Sequence, residues 1–103
     1  MGLRLEHTIW PDWPEGTEPK VVTSDVTAIL RRVVRPGDED GGESVALVAA
    51  KAQTSTRTVY RVLAASSPEI ALDLADRLCV AAEAHVSACR LVWPDGRVTS
   101  YLS

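Results

Sequence analysis

Arg57 and Arg61 stand four residues apart, with Thr56 and Tyr60 beside them, and at helical spacing the four share one side. Each guanidinium carries its donors in a rigid fork. That fork matches two acceptors in one plane, as in a carboxylate, a phosphate, or O6 and N7 of guanine. A threonine adds a hydroxyl and a methyl, both of which a base edge can meet. No acid occurs from Ser44 to Ser67, whereas Lys51, Arg57 and Arg61 do. An anionic partner would find no like charge in that window. Ser55, just before these residues, is a good N-cap.

These groups face outward only if two elements hold them so. Val59, Val62 and Leu63 form an apolar stripe on the opposite side of the same helix. Upstream, Val45, Val48, Ala49 and Ala52 form a second stripe at the 3, 4 and 7 offsets of a helix. Gln53-Thr54-Ser55 lies between them and is too polar for either. Two helices joined by so short a turn approach closely at the corner. Ala49 and Ala52 permit that approach, where larger side chains would hold the helices apart.

The pattern Val48-Ala49-x-x-Ala52-x-x-Ser55-x-x-Thr58-Val59-x-Arg61-Val62 resembles the lac-repressor-type signature, within the wider superfamily of phage repressor and Cro proteins. The match covers about a fifth of the chain. It implies a helix-turn-helix over 44–63, with a recognition helix at 56–64 lying in the major groove. It further implies that Thr56, Arg57 and Arg61 read bases, while Ser55 and Tyr60 touch backbone or bases. Two positions depart from the family. Gln53 stands where glycine is favoured in the turn, and Thr54 where an aliphatic usually follows. A left-handed Gln53 costs on the order of 1 kcal/mol.

At 103 residues the chain is expected to form one domain, residues 1–103, with a single modest core. Phe is absent and aromatics are only 5 %, so Val, Ala and Leu must build that core, which suits small packed helices. No apolar run approaches the ~20 residues of a membrane span. The N-terminus lacks a basic-then-apolar signal pattern, so a cytoplasmic protein is expected. The Ala-, Val- and Arg-rich composition suggests an actinobacterial or actinophage source. Net charge is −3, which argues against a nucleic-acid partner. Its distribution weakens the objection: nine acids and five bases lie in 1–43, none and three in 44–67, and five and three in 68–103. A local cationic face on an acidic body still binds DNA, with weak, salt-sensitive non-specific affinity.

Around the central pair, Leu3, Leu5 and Ile9 alternate as a short N-terminal strand within an extension over 1–22. Trp10-Pro11-Asp12-Trp13-Pro14-Glu15-Gly16 then breaks regular structure. Val26, Ile29, Leu30 and Val33 predict a first helix from Ser24 or Asp25 to Val34, and Pro36–Gly42 a solvated loop. Ser67-Pro68-Glu69 reads as the start of a fourth helix, with stripe Ile70, Leu74, Leu78 and Ala82, ending near Ala84. Residues 89–102 flank Pro94-Asp95-Gly96 as a β-hairpin. The expected fold is mainly α: a four-helix helix-turn-helix domain with a short N-terminal strand and a C-terminal β-hairpin. The hairpin is open to three uses: a wing on DNA, a sheet with the N-terminal strand, or a dimer seam.

Other chemistry-bearing residues form no working constellation. Cys79, His85 and Cys89 match no usual zinc spacing, and two small buried thiols, kept reduced, are the favoured reading. Trp10-Pro11-Asp12 and Trp93-Pro94-Asp95 resemble the acid loop of tyrosine phosphatases, but Cys89-Arg90-Leu91-Val92 is not that class's phosphate loop. Both are better explained as turns with a packing Trp. His85 has no nucleophile or carboxylate partner pattern. No enzyme, metal or cofactor is therefore expected.

The expected function is a sequence-specific double-stranded DNA-binding transcription regulator, with a homodimer formed through the terminal strands. Lys51 is by default a surface lysine and secondarily a phosphate contact. The Tyr60 ring fits a helix flank and a phosphate equally well. One alternative is an architectural or recombination-directionality protein. Another, of a different class, is an interaction module presenting Asp38, Glu39, Asp40 and Glu43 to a host protein such as RNA polymerase.

Overall fold

Val21, Ile70 and Leu91, far apart in the chain, meet as direct neighbours across antiparallel strands: Val21 lies opposite Ile70 on one side and Leu91 on the other. A computed structural model describes residues 18–35, 37 and 42–100. Its elements are β1 (Lys20–Val22), α1 (Thr23–Leu30), α2 (Glu43–Lys51), α3 (Thr56–Leu63), β2 (Glu69–Ala71), α4 (Leu72–Ala81), a 3-10 turn (Val86–Ala88), β3 (Arg90–Val92) and β4 (Val98–Ser100). The strands form one four-stranded antiparallel sheet in the order β2-β1-β3-β4. Four helices with this sheet make a small mixed α/β domain, which corrects the expectation of a mainly α fold.

The sheet packs on α1 and α4 through the centres of β1 and β2, where Val21 is fully buried and Ile70 half-buried. Glu69–Ala71, expected as the first turn of the fourth helix, is strand instead, and the helix begins at Leu72. The Pro68 carbonyl accepts from Thr23 N–H at 3.1 Å, so the chain entering β2 is tied to the chain leaving β1. The hairpin β3–β4 forms as its turn residues predict. Gly96 N–H donates to the Trp93 carbonyl at 2.8 Å, and Gly96 takes φ +92°, a type I turn closed by a left-handed residue. Of the three uses open to the hairpin, it joins a sheet, although with Lys20–Val22. The strand expected at Leu3–Ile9 and the Trp10-Pro11-Asp12 turn lie outside the described residues, as do Asp38, Glu39 and Asp40.

α1 ends at Leu30, four residues before the expected Val34. Arg32 and Val33 donate to carbonyls three residues back, which tightens the last turn, and Val33 faces outward. The core is Val, Leu and Ala, as the missing Phe requires: Val26, Leu30, Val45, Val59, Leu72 and Leu78 are fully buried. Cys79 and Cys89 lie in the same core, and the hydrogen bond to Cys89, with burial, pushes the Cys79 thiol up. A protonated, enclosed thiol is a poor nucleophile. His85 is exposed and caps the 3-10 turn, its Nδ1 accepting from Ser87 N–H at 3.0 Å. No helix among the described residues is long and apolar enough to cross a membrane.

One ion pair joins the first turn of α1 to the sheet. Asp25 accepts from Arg90 Nε at 2.9 Å, Arg90 Nη2 at 3.0 Å and the Arg90 backbone N–H at 2.9 Å. Those bonds hold the Asp25 carboxyl below its ordinary range, against burial, which acts the other way. Because the folded pKa is the lower one, the stabilisation is full above the unfolded value of about 3.9. It is lost as pH falls through the folded value. Asp25→Ala is expected to cost about 1 kcal/mol at neutral pH, since the partner arginine is well exposed. Thermal melts from pH 7 to pH 2 should show the variant and parent converging at the acid end.

Candidate nucleic-acid interface

α2 and α3 are joined by Ala52–Ser55, and the corner is closed by small side chains: Ala49 and Ala52 are 3 % and 1 % exposed. Val45, Val48, Val59, Val62 and Leu63 turn inward as their spacing predicts. α2 ends in a Schellman motif, with Gln53 N–H donating to Ala50 O at 3.2 Å and Thr54 N–H to Ala49 O at 2.9 Å. That motif needs a left-handed residue, and Gln53 supplies it at φ +57°. The turn position where the sequence lacks glycine therefore has the conformation glycine would favour. Gln53→Gly should stabilise the domain by about 0.5–1 kcal/mol, measured by urea unfolding, because the strain goes while the turn stays.

Ser55 caps α3, its Oγ accepting from Thr58 N–H at 3.1 Å and lying 3.0 Å from Thr58 Oγ1. Thr56, Arg57 and Arg61 then project from the exposed side of the helix. Neither guanidinium has an ion-pair or hydrogen-bond partner among the described residues. Tyr60 is half-buried and packs against the core, so its ring belongs to the helix flank. Lys51 is exposed at the last residue of α2, at the entry to the turn. Glu43, at the other end of α2, sits 3.6 Å from Arg35, both well exposed.

No family model, curated protein or solved structure matches the chain.

Two further arginines, half-buried Arg77 and exposed Arg31, hold the α2–α3 pair in place, a role that sequence reasoning missed. Arg77, on α4, donates from Nη1 to the carbonyls of Ala52 and Gln53, each at 3.0 Å. Its Nε lies 3.2 Å from Asp73 Oδ2, near enough for an ion pair but out of line for a hydrogen bond. Arg31, just past α1, donates from Nη2 to Leu63 O at 3.3 Å, and Thr27 Oγ1 donates to Val62 O. Both helix C-termini of the pair are thus met by outside donors, which also suits their dipoles. The only advance signal was a basic residue on a helix side, which is usually solvent-facing.

The hairpin carries its own polar cluster. Trp93 Nε1 donates to Thr99 Oγ1 at 2.8 Å, and the Arg97 guanidinium lies 5.7 Å from the Trp93 ring centre. Asp95 accepts from Arg97 N–H at 3.0 Å and Nε at 2.8 Å. This fixes the turn, and makes Trp93 the packing residue that its Trp-Pro-Asp context implied. Arg97 is held within the hairpin, and α3 packs chiefly on α1 and α2.

Proposed function

We propose that the chain is a sequence-specific double-stranded DNA-binding transcription regulator, with α2 and α3 acting as a helix-turn-helix and α3 entering the major groove. One observation carries the proposal: Arg57 and Arg61 are exposed and unpaired among the described residues, one turn apart on a short helix anchored at both ends. In that position the two forks can each take the O6 and N7 of a guanine. Thr56, at the first helical residue, is placed for a thymine methyl or a phosphate. Ser55 and Lys51 lie where backbone contacts would set the register. Glu43 and Glu69, the acids bounding the window, lie outside α3 and its turn, so no carboxylate opposes the phosphates from within.

The acidic remainder limits purely electrostatic binding, so discrimination between sequences should be large relative to total affinity. The test is a selection of bound fragments from random duplex DNA at a stated salt concentration. Enrichment of one motif, containing guanines at a spacing two arginines on one helix can reach, is expected. Recovery of unenriched DNA at every salt concentration would overturn the proposal.

A further inference from the structure

A cleft of about 290 Å³ opens between α3, β2, α4 and the start of α1. It is lined by the apolar Val62, Ile70 and Leu74 and by the polar or charged Thr23, Thr58, Arg61 and Ser67. No acid lines it, so the charge it presents is positive. Thr23 is 1 % exposed, and its hydroxyl has no hydrogen-bond partner among the described residues. A buried, unsatisfied hydroxyl is costly, and native structures usually give such a group a partner. Arg61 has no ion-pair partner among the described residues either. An unmatched donor, an unmatched cation and an apolar wall converge on one small space.

We propose that this cleft binds a small branched aliphatic carboxylate, and that the ligand competes with DNA for Arg61; the competition rests on the DNA-binding proposal above. The carboxylate takes the Arg61 fork. An oxygen next to it accepts from the Thr23 hydroxyl, and the branched body covers Val62, Ile70 and Leu74. An inorganic anion satisfies Arg61 and leaves the apolar wall wet, whereas an alcohol of the same shape does the reverse. A 2-oxo acid supplies all three contacts. A ligand that withdraws Arg61 from the duplex must weaken DNA binding by the same factor that DNA weakens its own.

The test uses the full chain and methyl NMR, with 4-methyl-2-oxopentanoate as probe and sulfate and 4-methylpentan-1-ol as comparisons. Saturating shifts at the Thr23, Val62, Ile70 and Leu74 methyls are expected from the oxo acid alone, with a Kd in about the millimolar range. Thr23→Val keeps the shape and removes the hydroxyl. It should bind the oxo acid about ten-fold more weakly while melting a few degrees higher, so loss of binding is not loss of fold. No shift at those methyls, or saturation by sulfate alone, overturns the site. At saturating oxo acid the affinity for a selected duplex should fall about ten-fold. An unchanged affinity overturns the competition. Failure of the ligand-free chain to bind any duplex refutes the DNA proposal by itself, and the methyl shifts still decide the cleft.

Discussion

Arg57→Ala/Arg61→Ala loses about 30-fold or more in affinity for the selected duplex, while its melting temperature stays with the parent. Truncating one bidentate base contact costs about 1–3 kcal/mol, so two such losses amount to about 2–6 kcal/mol, less if the two arginines act as a unit. Both side chains are exposed and unpaired among the described residues, so the fold has nothing to lose from their removal beyond about 0.5 kcal/mol. Arg57→Lys sharpens the result. A lysine keeps the charge but not the fork, so binding to unselected DNA should persist while preference for the selected motif declines. Fluorescence anisotropy with selected and scrambled duplexes reads both quantities. A double variant that still binds the selected duplex like the parent would remove α3 as the reading element.

The residues behind this expectation were legible because each depended on local spacing. Ser55 caps α3 in the way a serine before a helix does, and the two apolar stripes turn inward. Pro94-Asp95-Gly96 makes its hairpin for the same reason, since proline fixes its own φ and glycine tolerates the left-handed one the turn needs. β1 and β2 were not legible. Three residues are too few to show alternation, and Lys20-Val21-Val22 becomes a strand only because Glu69-Ile70-Ala71 and Arg90-Leu91-Val92 lie beside it.

Helix ends were hidden for a different reason. Gln53, Ala65 and Glu83 all take φ between +52° and +59° at helix C-termini, and none is glycine. After α3, Ala65 N–H bonds Val62 O and Ser66 N–H bonds Arg61 O; after α4, Glu83 N–H bonds Val80 O and Ala84 N–H bonds Cys79 O. The same motif thus closes α2, α3 and α4 without the residue that normally announces it. The expectation that the fourth helix runs to near Ala84 overshoots its end at Ala81 on this account. Tertiary packing supplies the energy that three strained residues withhold. Arg77 and Arg31 belong with that packing, because their acceptors are carbonyls 24 to 32 residues away and no spacing rule reaches so far.

Arg77→Ala should be the most destabilising change at a half-buried charged residue of the domain, at about 2–4 kcal/mol. It removes two charged hydrogen bonds and leaves the carbonyls of Ala52 and Gln53 at the end of α2 without their donor. It also removes a cation from a helix C-terminus. Asp73→Ala separates this from the ion pair. Asp73 is 71 % exposed, so its loss should change stability by less than about 0.5 kcal/mol. Comparable losses from the two variants would assign the effect to the ion pair instead. The consequence extends beyond stability, because Arg77 grips the residue whose left-handed conformation sets the direction of α3. Below its melting temperature, Arg77→Ala should exchange the Gln53 and Thr54 amide hydrogens faster than the parent. Their acceptors, Ala50 O and Ala49 O, lie in the turn of backbone that Arg77 no longer holds. Affinity for the selected duplex should fall with that exchange, although Arg77 lies on α4 and outside the proposed reading helix. Restored exchange protection in an Arg77→Ala/Gln53→Gly chain would show that the turn, rather than the charge, transmits the effect.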